Sequence, residues 1–168
     1  NVAINSDSEK RRAFVASLFT SGYGERYTSE TCNYCHYVRE EENMIRGSCC
    51  CGSIKFELSA LPSMMGTCHC SRCRKVGASI LVFVNKETFR WIQGREFVAH
   101  YDPDPPFKYT RCFCKKCGTA LGEVDSQQDS FPVAANCLDD DPVVRNRFHE
   151  FVDSKPVWYE ICDETKQL

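Results

Sequence analysis

The sequence predicts a mainly β domain that follows a short N-terminal helical extension. From about Met44 onward, apolar and polar residues alternate with a period of two, which is typical of strands with one buried face. Turn-forming Gly, Pro, Asn and Asp residues separate the alternating runs, and no long helical pattern follows residue 44. Short strands at regular intervals indicate an all-β domain. We therefore divide the chain into an extension, residues 1–43, and a domain, residues 44–168.

The extension is polar and begins with a helix signal. Ser6 and Glu9 have the spacing of a capping box, and apolar residues follow between positions 13 and 19. This pattern predicts a short amphipathic helix over residues 7–19, with its apolar side docked on the main domain. The extension ends in three glutamates, residues 40–42, which are typical of a solvated surface.

A C-x-x-C-H pattern, Cys32 to His36, also lies in the extension and is the pattern of covalent haem attachment. Haem attachment would use two of the 13 cysteines and leave the rest unexplained. We interpret Cys32 and Cys35 as free thiols, with a redox pair or an additional metal half-site as the alternatives.

The strands of the domain are predicted from their alternation. Ile54, Phe56 and Leu58 alternate with polar neighbours and indicate a half-buried strand. Further strands are predicted over residues 79–85, 88–92, 96–101, 108–113, 120–123, 131–135 and 157–161. Residues 140–144 are predicted to hold a single helical turn.

Composition excludes several classes of function. The net charge is −2, and Lys and Arg are mixed with Asp and Glu, so no broad basic surface for nucleic acid or an anionic membrane is indicated. No apolar run approaches the roughly 18 residues of a transmembrane helix. We expect a soluble, cytoplasmic protein whose thiols stay reduced.

The cysteines favour metal binding over disulfides. Their number, 13, is odd, and nine of them form three tight groups, at positions 49–51, 68–73 and 112–117. Thiols clustered in this way pair poorly with each other, and disulfide frameworks are typical of small secreted chains. The sequence shows no signal-peptide pattern at its start, although it begins with Asn1.

Cys68, Cys70 and Cys73 are the first candidate site. They place three soft ligands within six residues, so a single loop could hold one zinc ion. Three protein ligands and an exchangeable fourth position are typical of zinc sites that perform chemistry, whereas four protein ligands are typical of structural zinc.

A second site is indicated by Cys114 and Cys117, which precede Gly118 in a C-x-x-C-G knuckle. Cys49 and Cys51 could complete it, because alternate residues of an extended segment face the same side. Four thiolates from two distant segments would hold a closed structural zinc that cross-links the domain.

Spacing alone leaves one ambiguity between the two sites. Cys112, Cys114 and Cys117 repeat the spacing of Cys68, Cys70 and Cys73. The basic and polar residues around the earlier triplet suit an anionic substrate and favour it as the open site.

The residues resemble those of the glutathione-dependent formaldehyde-activating enzymes and their relatives, which include centromere protein V. The resemblance covers about residues 44–163. It lies in three cysteine segments, residues 47–52, 68–78 and 113–119, and in residues 138–140, His149 and Trp158. It implies an Mss4-like fold, with a structural zinc on Cys49, Cys51, Cys114 and Cys117 and an active-site zinc on Cys68, Cys70 and Cys73.

The expected activity is that of a carbon–sulfur lyase. Zinc with three thiolates carries a net charge near −1, so it is a modest acid for water and is better suited to binding a substrate sulfur or an aldehyde oxygen. The resemblance implies S-hydroxymethylglutathione, formed from glutathione and formaldehyde. Arg72, Arg74 and Lys75 could bind carboxylates of the thiol. The alternative is a non-catalytic, zinc-stabilised protein-binding module of the Mss4 or centromere protein V kind.

Other residues near these segments have simpler interpretations. His69 points away between two cysteines and is expected to form a local hydrogen bond, with a role as a fourth metal ligand or a proton carrier as the alternative. We interpret His149 and Trp158 as packing residues at the edge of the sheet, and Cys137 and Cys162 as small buried apolar residues.

Overall fold

A computed structural model describes residues 44–168 of the chain. The helix predicted over residues 7–19 and the pattern from Cys32 to His36 lie outside the described residues. The described part contains one short α-helix, α1, at Ser71–Lys75. Its strands are β1 Ile45–Ser48, β2 Lys55–Leu58, β3 Met64–Cys68, β4 Ile80–Asn85, β5 Phe89–Gln93, β6 Val98–Tyr101, β7 Arg111–Cys114, β8 Ala120–Gly122, β9 Ser130–Ala134, β10 Asn146–Glu150 and β11 Lys166–Gln167.

The strands form two sheets. The smaller sheet is antiparallel in the order β1-β2-β5. The larger sheet has the order β11-β10-β3-β4-β9-β8-β7-β6, in which β10 pairs in parallel with both β3 and β11 and the remaining pairs are antiparallel. The prediction of a mainly β domain is therefore confirmed.

The core packs residues of the two sheets together. Phe56 of the small sheet is fully buried, and its ring stacks on Phe89 at a centroid distance of 5.0 Å. Phe89 in turn meets Phe131 of the large sheet edge-to-face at 5.6 Å. Aromatic pairs of this kind contribute about 0.5–1.5 kcal/mol beyond the burial of their apolar area. The alternation predicted at Ile54, Phe56 and Leu58 is confirmed, because all three side chains are buried.

Two local predictions are wrong. Residues 157–161 form no strand, and Val157 and Trp158 are 98% and 79% exposed, so Trp158 is not a packing residue. Residues 140–144 form no helical turn, because the Asp141 carboxylate accepts the Val143 backbone N–H and Val143 has a positive φ of 59°.

The strands that sequence periodicity missed lie beside the candidate sites. β3 leads directly into Cys68, and the chain continues through α1 to β4. β10 pairs with β3, and the His69 backbone N–H donates to the Glu150 carbonyl at 2.8 Å. The central strands of the large sheet thus hold both ends of the loop that carries Cys68, Cys70 and Cys73.

No helix in the described range 44–168 is long and apolar enough to cross a membrane.

Candidate metal centres

Two groups of cysteine thiols lie close enough to hold metal ions. The first, which we call the four-cysteine cluster, consists of Cys49, Cys51, Cys114 and Cys117. The second, the three-cysteine cluster, consists of Cys68, Cys70 and Cys73. Within each group all the sulfur atoms lie within 4.8 Å of one another. Both sets suit a soft divalent ion such as zinc, which thiolates bind at about 2.3 Å.

The four-cysteine cluster joins the two sheets. Cys49 and Cys51 lie between β1 and β2 of the small sheet, while Cys114 and Cys117 lie at the end of β7 and in the turn before β8 of the large sheet. The Cys50 backbone N–H donates to the Thr119 hydroxyl at 3.0 Å and links the two turns directly. A metal ion here would connect the two sheets rather than two places in one sheet.

The turns of this cluster use their glycines for backbone geometry. Gly52 and Gly118 have φ values of +69° and +75°, which L side chains rarely adopt. Their left-handed turns direct backbone N–H groups toward sulfur, and hydrogen bonds from Thr119 and from the Cys51 backbone lower the pKa of Cys117 to about 5. Burial raises the pKa of Cys49 to about 11. The exposed end of the cluster is therefore the more readily ionised.

The three-cysteine cluster lies at the junction of β3 and α1. Cys70 is the N-cap of the helix, and its sulfur accepts the Cys73 backbone N–H at 3.4 Å. Cys68 and Cys73 are buried, and Cys70 is half-buried. The hydrogen bond between the Cys68 and Cys73 thiols raises the pKa of Cys68, with burial adding to it, and lowers the pKa of Cys73.

Cys112 does not belong to either cluster. It is buried in β7, and this burial raises its pKa to about 11. Cys114 and Cys117 belong to the four-cysteine cluster and Cys112 does not, so the repeated spacing does not mark a second three-cysteine site. Cys137 is buried as predicted, but Cys162 is exposed and that prediction is wrong.

Two buried histidines support the three-cysteine cluster. His69 Nε2 and His149 Nδ1 are 2.7 Å apart, and His149 Nε2 lies 3.2 Å from the Asp163 carboxylate. Asn146 Nδ2 lies 3.1 Å from the same Nε2, so the two histidines form a chain of polar contacts with Asn146 and Asp163. Burial, followed by the charges of neighbouring groups, lowers the pKa of His69. The partner of His69 is thus a residue 80 positions away rather than a local group.

The predicted substrate-binding residues, Arg72, Arg74 and Lys75, lie on α1, the helix that carries Cys73. Arg72 lies over the ring of Phe107, with the guanidinium carbon 4.4 Å from the ring centroid. Arg74 donates from Nε to the His69 carbonyl at 3.2 Å and from Nη2 to the Ser154 carbonyl at 3.3 Å. Lys75 is exposed. All three residues therefore lie beside the three-cysteine cluster, and Arg74 holds the loop through its hydrogen bonds to two backbone carbonyls.

Sequence reasoning missed two charged residues behind this cluster. Arg111 in β7 donates from Nη2 to the Cys73 sulfur at 3.3 Å. Glu123 lies just after β8, with Oε1 4.0 Å from Arg111 Nη1. Both side chains are buried, although Arg and Glu are normally exposed, so no sequence signal distinguishes them from surface charges.

Comparison with known proteins places the chain beside one protein family and similar individual proteins. A family model described as glutathione-dependent formaldehyde-activating enzyme matches residues 44–154. A protein of Halomonas elongata named as a putative glutathione-dependent formaldehyde-activating enzyme is 30% identical over 128 residues, covering 70% of this chain and 81% of the relative. A crystal structure of a Rhodobacter sphaeroides protein has a TM-score of 0.48 at 25% identity, covering 57% of this chain and 89% of that protein.

Proposed function

Because the chain belongs to the glutathione-dependent formaldehyde-activating enzyme family, we propose that it is a zinc-dependent carbon–sulfur lyase acting on a thiol–aldehyde adduct. The proposed adduct is S-hydroxymethylglutathione, formed from or cleaved to glutathione and formaldehyde. The observation that supports this most is the three-cysteine cluster, whose sulfur atoms lie within 4.8 Å of one another. Three ligands leave one tetrahedral position for a substrate atom.

The proposed reaction forms one carbon–sulfur bond. The thiolate sulfur of glutathione donates an electron pair to the formaldehyde carbon, the carbonyl π pair moves to oxygen, and that oxygen takes up a proton. In the reverse direction the hydroxyl loses its proton, and the carbon–sulfur bond breaks with its electron pair returning to sulfur. No oxidant or reductant is needed.

The three-cysteine cluster offers the soft sulfur ligands that zinc prefers, and Cys68, Cys70 and Cys73 would hold the ion. Zinc at this position would supply a soft Lewis acid for the substrate sulfur or the aldehyde oxygen. Cys70 positions the cluster through its N-cap hydrogen bond, and His69 fixes the loop through His149. In this proposal the four-cysteine cluster holds a second zinc with a structural role.

Arg72 and Lys75 are the proposed contacts for the carboxylates of the thiol. Both lie on α1 next to Cys73, so a thiol bound at the cluster would have its charged ends within reach of this helix. Arg74 has two of its five N–H donors committed to backbone carbonyls and is proposed to act mainly by holding the loop, with its remaining donors available to substrate. Bidentate recognition of carboxylates is typical of Arg.

Exchange NMR tests the reaction directly. Magnetisation transfer between glutathione, formaldehyde and the adduct should be faster with the zinc-loaded protein than without it. Cys70→Ser should abolish the difference, and Cys162→Ser, which changes an exposed cysteine outside both clusters, should not. Equal exchange with and without protein, for glutathione and for other small thiols, would refute catalysis.

Metal analysis tests the cofactor. Protein purified without chelator should contain two zinc ions per chain, and Cys70→Ser should contain one. One zinc or fewer in the unmodified protein would refute the scheme of two sites.

The alternative, a protein-binding module, is favoured by one feature of the surface. Val157 and Trp158 are adjacent and largely exposed, and the neighbouring Tyr159 ring lies edge-on to His69 at 5.2 Å. Trp is common at the centres of protein interfaces. If no thiol adduct responds and no thiol perturbs the metal at the three-cysteine cluster, the binding module becomes the better proposal.

A further inference from the structure

A buried pair of charged residues, Arg111 and Glu123, lies against the three-cysteine cluster. Arg111 in β7 donates from Nη2 to the Cys73 sulfur at 3.3 Å, while Glu123 Oε1 lies 4.0 Å from Nη1 of the same guanidinium. The side chains of Arg111 and Glu123 are only 11% and 7% exposed. Arg111 thus bridges a cysteine of the cluster and a carboxylate that belongs to neither cluster.

This pair is poorly satisfied as a structural element. Arg111 Nε and Glu123 Oε1 are both buried without a hydrogen-bond partner, and the distance between Arg111 Nη1 and Glu123 Oε1 is 4.0 Å. Buried charges are expensive unless they are paired and hydrogen-bonded, and well-packed apolar residues are often no worse for stability. Folding alone therefore gives little reason for an arginine at this position.

The charge of the neighbouring cluster gives a reason. Three thiolates around one divalent zinc have a net charge of about −1, since three negative charges outweigh two positive ones. In a buried site such a charge needs compensation. The guanidinium of Arg111 supplies one positive charge at the buried end of the cluster, next to Cys73, while Cys70 remains half-buried at the open end.

We propose that Arg111 is a positioning residue that compensates the charge of the three-cysteine metal site through its hydrogen bond to Cys73. This inference rests on the proposed function, because it requires a metal ion on Cys68, Cys70 and Cys73. Glu123 limits the effect by drawing the same guanidinium in the opposite direction. The pair thereby sets how much negative charge the Cys73 sulfur donates to the metal.

Two consequences follow from a hydrogen bond to a metal-bound sulfur. The positive charge favours the anionic complex over three protonated thiols, so Arg111 raises metal affinity near neutral pH. The same bond withdraws electron density from sulfur, which makes the metal a stronger acid for the substrate oxygen or sulfur. Residues that contact metal ligands in this way typically change metal affinity or activity by about 10- to 100-fold when replaced.

Cobalt substitution of the full chain tests the inference without using activity. Arg111→Gln removes the charge and should lower the cobalt affinity of the three-cysteine cluster about 10- to 100-fold. It should also move the thiolate-to-cobalt absorption to longer wavelength, because the sulfur electrons are held less tightly. The bands of this cluster are identified as those that Cys70→Ser removes.

Three further variants separate a charge effect from a loss of structure. Arg111→Lys keeps the charge and should recover most of the affinity, although Lys lacks the forked donors of Arg. At pH 8, above the pKa of about 7 of the Glu123 carboxyl, Glu123→Gln removes a negative charge and should move the absorption in the opposite direction, to shorter wavelength. Arg95→Gln is the matched control, because exposed Arg95 pairs with Asp125 at 3.0 Å and neither residue belongs to a cluster.

Each outcome decides the question. Unchanged affinity and absorption in Arg111→Gln, or shifts in the same direction in Arg111→Gln and Glu123→Gln, overturn the inference. If Arg111→Gln does not fold, the shift to shorter wavelength expected of Glu123→Gln and the retained affinity expected of Arg111→Lys still test it, and the absence of both overturns the inference. Should the unmodified protein bind no cobalt at the cluster, the proposed function fails as well, whereas binding that ignores Arg111 refutes only this inference.

Discussion

The two cysteine clusters hold similar ligands in different settings. The four-cysteine cluster draws its ligands from two distant segments that belong to different sheets, and two of its cysteines, Cys51 and Cys117, are exposed. The three-cysteine cluster draws all its ligands from one loop and is backed by buried polar residues, His69 and Arg111 among them. The first arrangement suits a cross-link between sheets. The second suits a site whose metal is tuned by its surroundings, since hydrogen-bonded partners behind the ligands control their orientation and basicity.

The largest expected effect separates the clusters by their contribution to folding. Cys117→Ser should aggregate or melt early, because structural zinc in small domains contributes on the order of 10 kcal/mol, comparable with the whole stability of a domain. Cys70→Ser should stay folded and lose one zinc, because its cluster closes only a short loop. Thermal melts and metal content measure both.

The matched control for this pair is Cys50→Ser. Cys50 is exposed and lies between two ligands of the four-cysteine cluster without belonging to it. It should melt like the unmodified protein. If Cys117→Ser and Cys70→Ser behave alike in both measurements, the distinction between a structural and a functional cluster is wrong.

The next effect concerns the support behind the three-cysteine cluster. His149→Ala leaves His69 Nε2 buried without its partner, which costs about 1–3 kcal/mol. Urea unfolding should show this loss, and the zinc of the four-cysteine cluster should remain. Asp163→Asn changes the exposed end of the same chain of hydrogen bonds and should cost less. Equal losses of unfolding free energy in the two variants would contradict a larger contribution from the buried His69–His149 pair.

The grouping of the thiols and the fold class could be predicted from the sequence. Cysteine spacing together with the family resemblance indicates which thiols lie close together, although spacing alone does not set Cys112 apart, and the period-two alternation identifies strands such as β2 and β4. The mainly β, Mss4-like fold is confirmed by the structure together with the family match. The zinc ions, their number and their roles remain proposals.

The remainder could not be predicted for physical reasons. β10 carries the sequence Asn-Arg-Phe-His-Glu, whose polar residues hide a strand that is held by parallel pairing with distant β3. Residues 157–161 have the composition of a strand, but periodicity does not show whether a pairing edge is available. His149 pairs with a residue 80 positions away, and Arg111 meets Cys73, which lies 38 positions earlier in the chain.

A smaller effect concerns Glu123, the buried carboxyl beside Arg111, and depends on pH. Burial raises the pKa of Glu123 from its ordinary value of 4.5 to about 7. Between these values the folded protein holds a proton that the unfolded chain has released, so the free energy of unfolding falls as pH rises. Glu123→Gln cannot titrate, and its stability relative to the unmodified protein should rise by about 1 kcal/mol from pH 6 to pH 8.

Urea unfolding of both proteins at the two pH values measures this difference, with the metal content of each sample determined alongside. Glu96→Gln, which changes an exposed carboxylate in the same region of the chain, should show no such trend. A constant difference in unfolding free energy between Glu123→Gln and the unmodified protein across this pH range would contradict the raised pKa of the buried Glu123 carboxyl.

The smallest expected effect asks whether Arg74 holds the loop or binds substrate. Arg74→Ala removes two hydrogen bonds to backbone carbonyls, of His69 and Ser154, at an exposed position, and should cost about 1 kcal/mol or less. If Arg74 acts by holding the loop, exchange at saturating glutathione should fall a few-fold while the half-saturating glutathione concentration stays constant. If its remaining N–H donors bind a carboxylate, that concentration should rise instead. Arg90→Ala is the control, because Arg90 pairs with Glu57 on the small sheet. A variant that matches Arg90→Ala in stability, rate and half-saturation would remove Arg74 from the site altogether, leaving Arg72 and Lys75 as the proposed contacts.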